Sequence, residues 1–291
     1  MNTATLVLDA KAALGEGPSW DAERKLLYWV DITRESFHAF NPVTGTDEVF
    51  QVGQQVGAVV PRRSGGVILA MQQGFYAYDF TSGALTPLGD PEEHLPNNRF
   101  NDGKCDAAGR FWAGTMRMNE HGSDGTLYCL EPDLTIRPVL SGLAVSNGIA
   151  WSSDNRKMYF IDSLTRVVME YEFDLESGTL SNGRAAVQLE EGPSLPDGMT
   201  IDEEGMLWVA EWDGYRVGRW NPNTGELLQS VEVPSARVTS CVFAGENMDN
   251  IYITTSRKDL SDEELRLQPL AGGLFHYKAQ VRGAATYSFG G

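Results

Sequence analysis

The sequence predicts an all-β fold: a six-bladed β-propeller of four-stranded blades, closed by its N-terminal strand. Three observations lead there. First, six short apolar and aromatic runs recur, at residues 27–31, 67–71, 110–114, 158–162, 206–210 and 250–254. Their second residues (Tyr28, Ile68, Phe111, Tyr159, Leu207 and Ile251) stand 40 to 48 positions apart. A period of about 40–50 residues holding several short strands is the mark of a propeller. Second, turns keep the same phase. A turn such as Asp21-Ala22-Glu23-Arg24 precedes each run, and a second turn ends at Gly45, Gly83, Gly178 and Gly225, 15 to 19 residues past the anchor. Third, the composition suits a turn-rich β chain, with 31 glycines and 10% aromatic residues.

The elements follow in order. In the first repeat, strands are expected at 17–21, 25–32, 36–41 and 48–52. The second strand reads as an almost continuous apolar run, because neighbouring blades cover both of its faces. The third alternates more, as in Phe37-His38-Ala39-Phe40. The last repeat, around residues 274–278, lacks a good fourth strand. Thr5-Leu6-Val7-Leu8 is expected to supply it, which removes two exposed sheet edges. One helix is expected over 261–267, with Ser261 as N-cap and Glu264 completing a capping box. No linker, composition shift or low-complexity stretch interrupts the repeats, so residues 1–291 are read as one domain.

Charge narrows the function. Lys and Arg total 23 against 40 Asp and Glu, a net charge of −17. Nucleic acid and anionic membranes need cationic patches, so neither is an expected partner. No obligate protein partner is evident either. Three scattered cysteines (Cys105, Cys129 and Cys241) make no disulfide framework or thiolate metal site. The first residues carry no basic segment followed by a long apolar one, so no secretory signal is visible and the expected location is cytoplasmic.

Polar residues share one phase of the repeat. Ten to twelve residues before four of the anchors stand Glu16, Asn101, Asn147 and Asp197. The second and sixth repeats have Val56-Gly57-Ala58 and Thr239-Ser240-Cys241 there instead. Innermost strands line the channel of a propeller, so equal phase means equal height around it. Two carboxylates and two amides then converge on one channel mouth. Carboxylates crowded in a partly dry site repel, and a cation is their natural occupant. These hard oxygen ligands suit Ca²⁺, Mg²⁺ or Mn²⁺, with Zn²⁺ also open. Asn-Gly and Asp-Gly are turn dipeptides in their own right. Turn chemistry alone would recur in all six repeats, however, and Glu16 between two glycines has no turn role.

Other chemistries have little support. His38, His94, His121 and His276 show no metal-ligand spacing, and the chain has no Gly-x-Ser-x-Gly elbow, GxGxxG run or P-loop. The seven tryptophans fall mainly at strand positions and read as blade packing.

The segments Leu14-Gly-Glu-Gly-Pro, Asn97-Asn-Arg-Phe-Asn-Asp-Gly-Lys, Trp112-Ala-Gly-Thr-Met, Ser146-Asn-Gly, Tyr159-Phe-Ile-Asp-Ser and Pro196-Asp-Gly-Met resemble those of the regucalcin, gluconolactonase and luciferin-regenerating enzyme family. The likeness continues through Gln268-Pro-Leu-Ala-Gly-Gly-Leu-Phe to Tyr287-Ser-Phe-Gly-Gly. The resemblance implies a six-bladed propeller, one divalent cation in the channel and hydrolysis of a sugar lactone. It implies Glu16, Asn147 and Asp197 as metal ligands, with Arg99 and Asn101 as substrate contacts. It further implies an acidic substrate contact soon after Ala-Gly-Thr-Met. That place falls on Asn119, with Glu120 beside it, in a glycine-flanked loop over residues 116–125 that reads as a lid.

The mechanism expected is metal-assisted hydrolysis of a gluconolactone-like aldonolactone to the aldonic acid. Asp197 is the candidate general base as well as a ligand, since one carboxylate oxygen can bind metal while the other accepts a proton. Two alternatives belong to other classes: a non-catalytic calcium-binding regulatory propeller, and a metal-dependent esterase or phosphotriesterase.

Overall fold

The computed structural model describes residues 2–291. Six four-stranded antiparallel sheets stand in a ring as a six-bladed β-propeller. Blade 1 comprises Gly15–Asp21, Leu26–Asp31, Ser36–Phe40 and Asp47–Gln51. Four further blades repeat this order, with innermost strands Val56–Pro61, Asn98–Cys105, Ser146–Trp151 and Leu195–Ile201. Blade 6 runs Val238–Ala244, Asn250–Thr255 and Leu274–Lys278. Its outer strand is Thr5–Leu8, which pairs antiparallel with Leu274–Lys278 through Thr5 opposite His276. The N-terminal strand therefore closes the ring as expected.

Local chemistry explains the recurrence. Gly45, Gly83, Gly178 and Gly225 each join the third strand to the fourth at φ between +63° and +76°. The N–H of each donates across 2.8 Å to the carbonyl four residues earlier. Glycine enters this left-handed conformation without the Cβ penalty. The expected helix forms over Asp262–Leu267, and Ser261 and Glu264 make the reciprocal capping box.

Two strand readings need correction. The innermost strand of blade 1 begins at Gly15 and so takes in Gly15 and Glu16. The third strand of blade 1 does not alternate, for all five of its residues are buried. His38 explains this. Its ring stacks on Trp29 with centroids 3.7 Å apart, Nδ1 lies 2.7 Å from Asp47 Oδ2, and Nε2 lies 3.4 Å from Ser36 Oγ. The Ser–His–Asp line has the order of a hydrolase triad. It lies within blade 1, lines none of the cavities described below, and works as packing.

Trp112, Trp151, Trp208 and Trp220 pack in the blades as expected, whereas Trp212 lines the cavity at the channel mouth. Trp112 Nε1 donates to Asp106 Oδ2 and Trp208 Nε1 to Asp202 Oδ2, both at 2.9 Å, at matching places in blades 3 and 5. The segment 282–291 crosses one end of the channel. It bonds to blade 5 through Ala284 N and Ile201 O, 3.0 Å, and to blade 2 through Phe289 N and Pro61 O, 2.8 Å. Beneath it lies a small cavity of about 50 Å³ beside Trp20, Lys104 and Trp151. The site described next opens at the opposite end, where the innermost strands begin.

Candidate active site

Each of the six innermost strands slips register near its start, and the slip contains the polar phase. The irregularities fall between Glu16 and Ser19, Phe100 and Gly103, Ser146 and Ile149, and Pro196 and Met199. Blades 2 and 6 slip at Val56/Ala58 and Val238/Ser240. A bulge breaks the in–out alternation of a strand and re-aims a side chain. Here it turns Glu16, Asn101, Asn147 and Asp197 toward the channel mouth, where all four line one cavity. Neighbouring innermost strands approach closely at this height. A Cβ on Gly57 would collide with Asn101 O, and one on Gly198 with Ser240 Oγ.

A chain of hydrogen bonds ties blades 3 and 4 together. Arg99 Nη1 donates to Asn101 Oδ1 at 2.7 Å and to Phe100 O at 2.9 Å. Asn101 Nδ2 donates to Ser146 O at 2.8 Å and to Asn147 Oδ1 at 3.2 Å. Asn147 Nδ2 donates to Ser163 Oγ at 2.9 Å. Asn101 therefore has both amide hydrogens engaged with protein groups and acts first as the support of Asn147. Its Oδ1 retains one lone pair beyond the bond from Arg99.

The strand starts are held from behind by carboxylates. Asp31 accepts from Ala13 N and Leu14 N at 2.9 and 3.0 Å. Asp162 accepts from Ala144 N and Val145 N, both at 2.9 Å. These two aspartates pair with Gly15 and Ser146, the residues just before Glu16 and Asn147. In blade 5 the same place belongs to Glu211, which faces Pro196 and pairs with Arg216 at 2.9 Å. Sequence reasoning missed these supports and Ser163. A signal existed for two of them: the runs 27–31 and 158–162 both end in Asp.

Electrostatics at the mouth are unusual. Glu16 and Asp197 are buried, 4% and 5% exposed, and Arg99 beside them is 6% exposed. Burial, followed by the charge of Asp102, pushes the Glu16 carboxyl up to about 8. Burial and the charge of Glu16 raise Asp197 well above the usual carboxylate range. Burial brings the Arg99 guanidinium down to about 10. Asp102, raised by its own burial, adds a third carboxylate next to Asn101 that the phase argument did not single out. The charge of Lys104, whose Nζ donates to Met199 O at 2.6 Å, partly offsets that rise. Asp197 Oδ1 is buried with no hydrogen-bond partner. Buried polar atoms are nearly always satisfied, and an unpartnered carboxylate oxygen beside a second buried carboxyl is chemically suited to a cation. Among the described residues, no group of three or more His, Cys, Asp and Glu side chains is placed to hold a metal. The donor set that does converge is two carboxylates and an amide, all hard oxygens. That set fits Ca²⁺, Mg²⁺ or Mn²⁺ better than a thiophilic metal.

The cavity above these groups measures about 200 Å³. Leu14, Met116, Val145, Leu195 and Trp212 give it an apolar side. Its size is below the roughly 300–1,000 Å³ of pockets for drug-sized ligands, which suits a compact polar molecule. Glu120, on the loop after Arg117, lines the cavity. Asn119 does not. Its Oδ1 instead accepts from His121 N at 3.1 Å. Of the two residues expected near the substrate, the structure brings Glu120 to the mouth.

A ring of six blades with buried carboxylates, amides and a guanidinium around one channel mouth defines a propeller with a small-molecule site. The family model described as SMP-30/Gluconolactonase/LRE-like region matches residues 14–257, and the chain belongs to that family. It is 40% identical to a regucalcin of Danio rerio over 288 residues, covering 98% of this chain and 97% of that one. It is 36% identical to a Bacillus subtilis (strain 168) protein named "Putative sugar lactone lactonase YvrE", with 99% of each chain covered. A solved luciferin-regenerating enzyme superposes with a TM-score of 0.92 at 32% identity, over 99% of both chains. No helix among the described residues is long and apolar enough to cross a membrane.

Proposed function

We propose that this chain, acting as one domain over residues 1–291, hydrolyses a sugar lactone with one divalent cation held by Glu16, Asn147 and Asp197. The observation that carries the reading is the buried, unpartnered Asp197 Oδ1 beside the Glu16 carboxyl. Membership of the SMP-30/Gluconolactonase/LRE-like family and the likeness to YvrE support it. Bound there, a divalent cation supplies Lewis-acid polarisation of a carbonyl oxygen and lowers the pKa of water.

The chain's own groups do the rest. Arg99 has Nη1 engaged by Phe100 and Asn101, and its other donors are available to ring hydroxyls. Asn101 keeps Asn147 in place, and Ser163 holds the far side of the same amide. Glu120 covers the mouth as an acceptor for sugar hydroxyls. Asp197 would accept the proton of the attacking water on the carboxylate oxygen not engaged by the cation. The apolar side of the cavity excludes bulk water. The product is an aldonic acid. Three free, buried cysteines fit a reducing compartment, in keeping with a cytoplasmic location.

The test is a panel of five- and six-membered sugar lactones, with acid release followed after chelation and after adding back Ca²⁺, Zn²⁺, Mn²⁺ or Mg²⁺. The expected result is activity lost to chelator and restored by at least one cation. Cation binding without turnover on any lactone would favour a regulatory, non-catalytic propeller. Full activity in protein shown by elemental analysis to be metal-free would overturn the cation's role.

A further inference from the structure

The lid loop and the far rim of the mouth are joined by one ion pair. Lys258 Nζ donates to Glu120 Oε1, and the two residues lie 138 positions apart in the chain. Both line the cavity. Their surroundings differ. Lys258 stands on an anchored rim: its N–H donates to Ser256 Oγ at 2.9 Å, and Ser256 Oγ donates to Ala13 O at 2.9 Å, next to the blade 1 strand that carries Glu16. Glu120 stands at the tip of a turn, at φ +59°, with its N–H bonded to Arg117 O at 3.0 Å. The base of that loop is fastened by the Arg117–Asp124 ion pair. The tip reaches the opposite side of the mouth through Lys258. Inside the cavity, the Glu120 charge is also the leading one that offsets the burial of Arg99.

We propose that Lys258 is a positioning residue that clasps Glu120 across the mouth and thereby restricts the substrate to a single sugar ring. This rests on the lactonase reading above. With the clasp shut, the cavity of about 200 Å³ has room for one ring, and the Glu120 carboxylate is held where it meets ring hydroxyls. With it open, the loop tip is free and a second sugar unit can project out of the mouth. Both partners are partly exposed, at 27% and 46%, so the pair is weak enough to open and close with each turnover. Exposed pairs of this kind change an equilibrium by roughly 1.5- to 5-fold and weaken with salt.

The test compares wild type with Lys258→Ala and Lys258→Arg, all metal-loaded, by two measurements. The first is kinetics on a monosaccharide lactone and on a disaccharide lactone carrying the same reacting ring. Lys258→Ala should raise KM for the monosaccharide lactone roughly 1.5- to 5-fold with kcat unchanged. It should leave the disaccharide lactone unaffected or improved, and Lys258→Arg should behave as wild type. The second is amide hydrogen exchange over residues 118–122, which needs no substrate. Exchange there should quicken by a similar factor in Lys258→Ala, with the blades unchanged. Unchanged exchange in the loop overturns the clasp whether or not the protein is a lactonase. Quickened exchange with an unaltered size preference overturns its role in specificity. Quickened exchange in a protein inactive on every lactone upholds the clasp and overturns the lactonase reading.

Discussion

Asn101 Nδ2 lies 3.2 Å from Asn147 Oδ1, across the boundary between blades 3 and 4. With Asn147 Nδ2 bound to Ser163 Oγ, the amide has one sensible orientation. A flip would set two NH₂ groups against each other. The orientation of the Asn147 amide oxygen is therefore fixed by Asn101 and Ser163. Replacing Asn101 by Ala should weaken Ca²⁺ binding although Asn101 is not assigned as a ligand. One lost neutral hydrogen bond corresponds to about 0.5–1.5 kcal/mol, or roughly 2- to 10-fold in affinity. Calorimetric titration with Ca²⁺ checks this, and an unchanged affinity would show that Asn147 needs no such support.

Glu16→Gln keeps the shape of the side chain and removes its charge. The Gly17 N–H, 2.7 Å from Glu16 Oε2, still finds an amide oxygen to bond. Folding should survive while divalent-cation affinity falls by roughly 10-fold or more, as expected for losing a charge-assisted contact of about 1.5–3 kcal/mol. Equal affinities for variant and wild type would remove Glu16 from the ligand set.

Arg99 and Asp197 should separate binding from chemistry. A guanidinium has no lone pair for a metal, so Arg99→Ala should retain bound cation and raise KM. The same change also loosens Asn101, so cation content must be measured beside the kinetics. Asp197→Asn should lose kcat even when saturated with cation, because an amide cannot take the water proton. Wild-type kcat in fully loaded Asp197→Asn would demote Asp197 to a ligand at most.

Gly198→Ala probes the packing that aims the site. Glycine to alanine at an unstrained position stabilises by about 0.4–1 kcal/mol through the unfolded chain. Here the added Cβ runs into Ser240 Oγ of the next blade, so the sign should reverse. Overpacking costs about 1–3 kcal/mol. A lower thermal midpoint is expected, and a raised one would mean that blades 5 and 6 can part at this height without loss.

What the sequence determined by itself is what repeats or is local. Blade count, hairpin turns, the capping box at Ser261 and the closing strand at Thr5–Leu8 each follow from short-range patterns that hydrophobic burial and turn chemistry impose. The common height of Glu16, Asn101, Asn147 and Asp197 was legible too, because a propeller converts phase along the chain into position around a ring. Tertiary structure decided the rest, for two physical reasons. At a bulge the two-residue alternation of a strand lapses. Spacing therefore could not tell that Asp102 lies close enough to charge the Glu16 site, or that Asn101 engages its amide hydrogens within the protein. Loops carry no period at all. The choice of Glu120 over Asn119, the seat of Asn147 on Ser163, and the meeting of Glu120 with Lys258 across the mouth exist only once distant loops share one channel end.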